Sequence, residues 1–221
     1  MEARAAKRKA RTRADSPAEA ALPGARSALL DAAQRLLQTE GVAAVSTRRV
    51  AAAAGQPLSQ IHYHFGSKQG LMLALLDYTD EQTLRRQRAM YGTGASLSAR
   101  WYKACDFLDE DLASGYVRLL QECIALGWSD EAIAERVRAL FHRWSSLLTE
   151  VAREAEARFG PLGPFSPAEV AALAGNAFVG AESELLLRID ETHIPIRSAL
   201  RKIGLLIEAF ERARSNREDE P

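Results

Sequence analysis

Two cysteines, three tryptophans and three methionines are all that this 221-residue chain holds of those types, and aromatic residues make up only 7% of it. So few cysteines exclude a disulfide-built scaffold. Cys105 and Cys123 lie 18 positions apart on apolar helix faces and read as reduced, buried thiols, with no adjacent Lys or Arg pair to favour a thiolate. The longest strongly apolar uncharged run, Val170 to Ala181, is too short to span a bilayer. The N-terminus is charged but has no apolar core after it, so no signal peptide is expected and the location expected is cytoplasmic. No zinc-helix motif, nucleophile elbow or dinucleotide fingerprint occurs. Gly92-Thr93-Gly94 lacks the Lys-Ser/Thr that a phosphate loop needs. His62 and His64 sit two residues apart on a helix and point roughly 200° apart at about 100° per residue, so they cannot chelate one ion. His193 lies in a loop beside Pro195. No metal, no cofactor and no catalytic constellation is expected.

What is present is helix former and unevenly spread charge. Hydrophobic residues are 47% of the chain and its formal charge is zero, yet residues 1–90 carry 14 Lys and Arg against 8 Asp and Glu. Residues 91–221 carry 15 against 21. A basic first part and an acidic remainder are expected where only the first part meets phosphate. Residues 1–24 form a basic arm (Arg4, Lys7, Arg8, Lys9, Arg11, Arg13) with little to bury, expected to be disordered when free. It either adds phosphate and minor-groove contacts or only raises the local positive potential.

Residues 25–70 have the parts of a helix-turn-helix in order. A first helix, Ala25 to Thr39, buries Leu29, Ala33, Leu36 and Leu37 and ends at Gly41. Ser46 or Thr47 caps a second, which runs through Val50 to Ala54, and Gly55 ends it. Pro57 opens a short third helix to about His64, Gly66 stops that, and Ser67 caps the next helix from Lys68. The alanine run Ala51 to Ala54 suits two short helices crossing steeply. In the first turn of the third helix, Leu58, Ser59 and Gln60 are placed to meet base edges: Gln60 suits adenine and Leu58 a thymine methyl. Thr47, Tyr63, His64 and Lys68 are donors placed for phosphates, and Arg48 for a base or phosphate. Ile61 and Phe65 should face inward.

Beyond this unit the chain reads as helices throughout. A connecting helix spans residues 71–90 and breaks at Gly92, leaving residues 71–221 as a second, regulatory and dimerisation domain. Helices are expected over Leu97 to Leu112, Tyr116 to Leu126, Asp130 to Arg158, Pro167 to Arg188 and Ile196 to Arg212. Gly160 to Pro167 is a loop, and Ser166 with Glu169 makes a capping box. The Pro167 helix is apolar on nearly every side, so one side needs a partner. Together with the last helix it could form a four-helix bundle with a second copy, burying Val179, Ser183, Leu186, Leu187, Ile203, Ile207 and Phe210. Trp101, Cys105, Tyr116, Phe141, Trp144 and Phe178 offer a lining for a small-molecule pocket, with Gln121, His142 and Asn176 to orient a ligand.

The segment from Arg26 to Leu76 resembles the TetR-type transcriptional regulators. The resemblance rests on Gly41, Ser46-Thr47-Arg48, Ala54-Gly55 and the run His62-Tyr63-His64-Phe65-Gly66-Ser67-Lys68. The chain departs from the pattern at Gln56-Pro57, where Ser or Thr is usual, and at His62, where an aromatic is usual. The resemblance implies an all-α protein of about nine helices, with an N-terminal three-helix DNA-binding domain and a C-terminal ligand-binding and dimerisation domain. It implies a non-enzymatic homodimer that reads a palindromic double-stranded operator, most simply a repressor released by a small molecule. A ligand-independent regulator or an activator is the alternative. His62 joins the DNA-binding set on this ground.

Overall fold

The computed structural model describes residues 24–218. The basic arm expected at residues 1–24 lies outside the described residues, apart from Gly24. Among the described residues there are nine α-helices, one short 3-10 turn at Val42–Ala44, and no strand. The helices are α1 Ala25–Glu40, α2 Thr47–Ala53, α3 Leu58–Phe65, α4 Lys68–Tyr91, α5 Leu97–Ser114, α6 Tyr116–Gly127, α7 Glu131–Phe159, α8 Pro167–Leu186 and α9 Ile196–Glu218. None is long and apolar enough to cross a membrane.

The punctuation follows local chemistry. The Ser46 hydroxyl accepts from the Arg49 N–H at 3.4 Å, and the Ser67 hydroxyl accepts from Gly70 N–H at 3.0 Å. Both satisfy N–H groups that a helix start leaves without an internal partner. Pro57 precedes α3 with no side-chain cap, as the departure at Gln56-Pro57 implies. Gly55 and Gly66 take φ of 63° and 71°, the left-handed region where a Cβ is strained. At the start of α8 the full capping box forms between Ser166 and Glu169.

One apolar core unites α1 to α4 with α6 and α7. Leu29, Leu30, Val45, Val50, Ile61, Leu71, Leu75, Val117 and Leu119 are fully buried in it. A second core, around Cys105, Leu108, Phe178, Ala181, Ile196 and Leu200, joins α5, α8 and α9. Both cysteines are buried and free, and burial pushes each thiol up to about 11, against a thiolate role.

Helix α4 is the member common to both halves. Toward the N-terminal unit its Tyr78 donates to Asp31 at 2.7 Å. Toward the rest, Arg86 clasps Asp111 at 2.7 and 2.6 Å, Asp80 accepts from Arg143 at 2.7 Å and from Tyr116 at 3.2 Å, and Gln87 accepts from Trp144 at 2.8 Å. Its junction with α3 is tight, since a Cβ on Gly70 would lie 2.0 Å from the Phe65 carbonyl oxygen. Backbone cannot yield as a side-chain tip can. Gly70→Ala is therefore expected to cost about 1–3 kcal/mol, the usual range for overpacking, measured as a lower urea midpoint.

Candidate nucleic-acid interface and ligand cavity

Helix α3 is held by one buried face and shows another. Ile61 is fully buried and Phe65 half-buried, while Leu58, His62 and Tyr63 form an outward row, with Tyr63 56% exposed. Helices α2 and α4 both pack against α3, and their N-termini bring exposed Arg48, half-buried Thr47 and exposed Lys68. Helix N-termini favour anions, so two such ends on helices packed against α3 suit a sugar-phosphate backbone. The neighbouring Arg49 is committed elsewhere, with both Glu40 carboxylate oxygens at 2.7 Å from its guanidinium.

Two expected contacts need correction. Gln60 is 1% exposed, on the inner side of α3, and cannot present its amide to a base edge from there. Helical geometry explains this: Gln60 neighbours Ile61 and shares its inward side, while Leu58 and His62, four residues apart, take the outer side. His64 is half-buried, its Nε2 lies buried with no hydrogen-bond partner, and its ring packs against Tyr63 and Phe65. It offers no Nε2 donor to a phosphate. Ser59 is half-buried at the edge of the outward row. The ring of His62 lies outward, with Nδ1 3.3 Å from the Gly66 carbonyl oxygen.

In the second half, α4, α5, α7, α8 and α9 enclose a cavity of about 660 Å³. This lies within the usual range for small-molecule sites, about 300–1,000 Å³. Of the residues expected to line a pocket, Trp101, Trp144 and Phe178 do so, and Trp101 and Phe178 pack with ring centroids 5.2 Å apart. Tyr116 and Phe141 instead border a much smaller space beside it. Cys105 is locked in the second core. His142 and Asn176 are corrections, for both are exposed on the outer sides of α7 and α8. Gln121 lies behind the wall, donating to Glu182 at 3.2 Å and accepting from Ser183 at 3.0 Å.

The cavity also claims residues expected at a dimer seam. Ile207 and Phe210 line it, Ile203 packs on the second core, Leu186 packs on the first, and Val179 borders the smaller space. Ser183 is tied to Gln121. Of that set Leu187 alone is classed as exposed, at 76%. The exposed large apolar residues here are Leu173 on α8, Leu187 just past its end, and Leu205 and Leu206 on α9.

Sequence reasoning missed the acids of the cavity. Glu182 is 9% exposed and lines it, with Asp111 nearby. The Glu182 carboxylate, set between Ala181 and Ser183 in a helix that is mostly apolar, was the signal available. Burial pushes Glu182 up to about 7; the Gln121 amide works against this and Asp111 adds to it. Burial also raises Asp111, despite Arg86. The folded Glu182 thus holds a proton up to about pH 7, against 4.5 as the ordinary value, so folding loses stability as pH rises across that interval. Glu182→Gln, uncharged throughout, should raise Tm more at pH 8 than at pH 5, as read by thermal unfolding.

Residues 29–75 match the family of bacterial regulatory proteins described as the tetR family. No curated protein matches the chain. Among solved structures, a TetR transcription regulator from Haloarcula marismortui is similar with a TM-score of 0.67 at 18% identity, over 84% of this chain and 97% of that one. A candidate transcriptional regulator from Saccharomonospora viridis in complex with choline gives 0.67 at 20%, over 82% and 95%. The transcriptional regulator FadR from Bacillus subtilis in complex with stearoyl-CoA gives 0.64 at 10%, over 81% and 97%. At these identities the likeness is one of fold.

Proposed function

Residues 29–75 match the tetR family of bacterial regulatory proteins, and on that premise we propose that the chain is a TetR-type homodimeric repressor released from its operator by a small molecule. The observation that carries the DNA reading is the outward row Leu58, His62 and Tyr63 on α3, with Arg48 and Lys68 exposed at the N-termini of α2 and α4, the two helices packed against it. In this reading α3 enters the major groove, where Leu58 and His62 meet base edges. Arg48, Thr47, Tyr63 and Lys68 hold phosphates on either side. The chemistry is binding rather than catalysis.

Dimerisation is supported by the uncovered apolar residues of α8 and α9. Leu173, Leu187 and Leu205 are exposed in the single chain, and exposed apolar side chains on neighbouring helices mark a contact surface. A two-fold pair of α8–α9 layers makes a four-helix seam and carries two α3 helices to two half-sites about 34–36 Å apart.

Release is supported by the cavity and by the reach of α4. Gln87 of α4 bonds Trp144 and Arg86 of α4 bonds Asp111, both residues of the cavity wall, and the same helix begins directly after α3. A ligand that displaces Trp144 or Asp111 tilts α4, and α3 moves with its start. Similar structures hold choline and stearoyl-CoA, which supports a ligand role for this cavity without choosing its occupant. The test of the DNA reading is fluorescence anisotropy of the purified chain on the duplex upstream of its own gene. Nanomolar binding that weakens steeply with salt is expected. Affinity equal to that of an unrelated duplex at every salt concentration would contradict it.

A further inference from the structure

Resting on the reading of the cavity as the effector site, its polar groups decide the class of effector. Gln87, Asp111, Trp144 and Glu182 border both the large cavity and the small space beside it, so together they form its inner end. At the other end stand Phe165 and Leu206, which line the cavity and are also exposed, marking its mouth. Between the two ends the walls are apolar and aromatic.

Asp111 and Arg100 in this wall are paired, whereas Glu182 and Arg214 have no ion pair among the described residues. Both carboxylate oxygens of Asp111 accept from one terminal nitrogen of Arg86, whose other terminal nitrogen donates to Glu110. Arg100 gives its two terminal nitrogens to Glu154 at 2.8 and 3.0 Å, and its Nε is buried with no hydrogen-bond partner. Arg214 stands at the mouth, bonded to the Pro161 carbonyl oxygen and stacked over Phe210. Glu182 has only the neutral Gln121 amide and, among the described residues, no ion pair. A nine-tenths buried carboxylate that borders a cavity and lacks a countercharge is costly unless the occupant brings one. Aromatic faces near it add attraction for a cation.

We propose that the cavity binds an amphipathic cation, an alkylammonium whose head meets the Glu182 carboxylate at the inner end while its apolar tail runs out toward Phe165 and Leu206. Anions are disfavoured at that inner end, where the carboxylates of Glu182 and Asp111 stand and the neighbouring Arg86 is already engaged by Glu110 and Asp111. The head would lie beside Trp144 and Gln87, so its arrival acts on the bond that ties α7 to α4.

The pH dependence has a definite sign. The groups facing Glu182 are Asp80 and Arg86 from α4, Asp111 from α5, Tyr116 from α6 and Arg143 from α7. Here Arg86 and Arg143 are engaged with Asp111 and Asp80. With burial holding the Glu182 proton up to about pH 7, a cation must displace that proton, and affinity rises with pH until the group is ionised.

The experiment uses three decyl probes below their micellar range: decyltrimethylammonium, decanoate and 1-decanol. Their binding to the full chain is followed by calorimetry and by quenching of tryptophan emission. At pH 8 the ammonium should bind at least about tenfold more tightly than the other two, a margin of about 1.4 kcal/mol. Its affinity should fall severalfold at pH 6, while that of decanol stays level. Glu182→Gln should bring the ammonium down to decanol and leave decanol unchanged, which also shows that the variant is folded. Equal binding of the three, decanoate ahead, a flat pH profile, or an unaffected Glu182→Gln variant would overturn the cation assignment and leave the effector cavity standing. Failure of all three probes to bind would overturn both.

Discussion

Replacing Arg48, Tyr63 and Lys68 together by alanine is expected to remove operator binding while leaving the thermal transition almost unmoved. All three side chains are exposed and none is part of either core, so surface truncation there costs little stability, typically within about 0.5 kcal/mol. Each gives a hydrogen bond to a charged phosphate in the proposed complex, and such bonds contribute roughly 1.5–3 kcal/mol apiece. Three of them, doubled by symmetry, put the loss beyond about a hundredfold. Lys68→Ala alone should weaken all duplexes alike and lower the salt slope by about one for each phosphate contact it removes. Leu58→Ala should instead relax sequence preference, because a methyl contact distinguishes bases and a phosphate contact does not. Gel shifts at several salt concentrations separate the two behaviours. A triple variant that still bound the operator with wild-type affinity would show that α3 docks by some other face.

The second large effect belongs to the proposed seam. Leu187→Asp and Leu205→Asp each place a carboxylate at a position that is exposed in the single chain, so neither should disturb folding of the protomer. In a two-fold dimer each charge is buried twice and without a partner, and a buried unpaired charge costs about 3–5 kcal/mol. Both variants should therefore run as monomers on size exclusion at micromolar concentration. They should also lose most operator affinity, since a monomer holds one half-site at a time. These positions replace Val179 as the informative choice, because Val179 borders an internal space and an aspartate there would unfold as readily as dissociate. Dimers of unchanged stability in both variants would move the seam to another surface.

The DNA-binding unit was readable almost residue by residue because its signals are local. Ser46, Gly55, Gly66 and Ser67 each fix a helix end by a cap or a left-handed φ, and such rules act within four residues. The capping box at Ser166 and the break after Tyr91 were legible for the same reason. What failed depended on rotation about a helix axis. Gln60 looks solvent-facing in a polar first turn, yet a few tens of degrees of helix rotation decide between groove and core. In α9, Leu205, Leu206 and Ile207 are consecutive and all apolar, so periodicity cannot say which faces in; packing against Tyr102 and the cavity does. The pocket was legible only as aromatic residues at helical spacing. Its polar end was not, because Gln87, Asp111 and Glu182 come from three helices far apart in sequence and meet only through tertiary packing.

The central claim is that two copies of this chain read a symmetric duplex with α3 and its flanking helix ends. Selection of bound sequences from a random duplex library by the purified full chain tests it most directly. The account predicts enrichment of an inverted repeat whose half-site centres lie about one helical turn, 10–10.5 base pairs, or a multiple of it apart. It also predicts that the enrichment disappears for the Arg48, Tyr63 and Lys68 triple variant. A library that emerges unenriched, or one enriched equally by that variant, would contradict it.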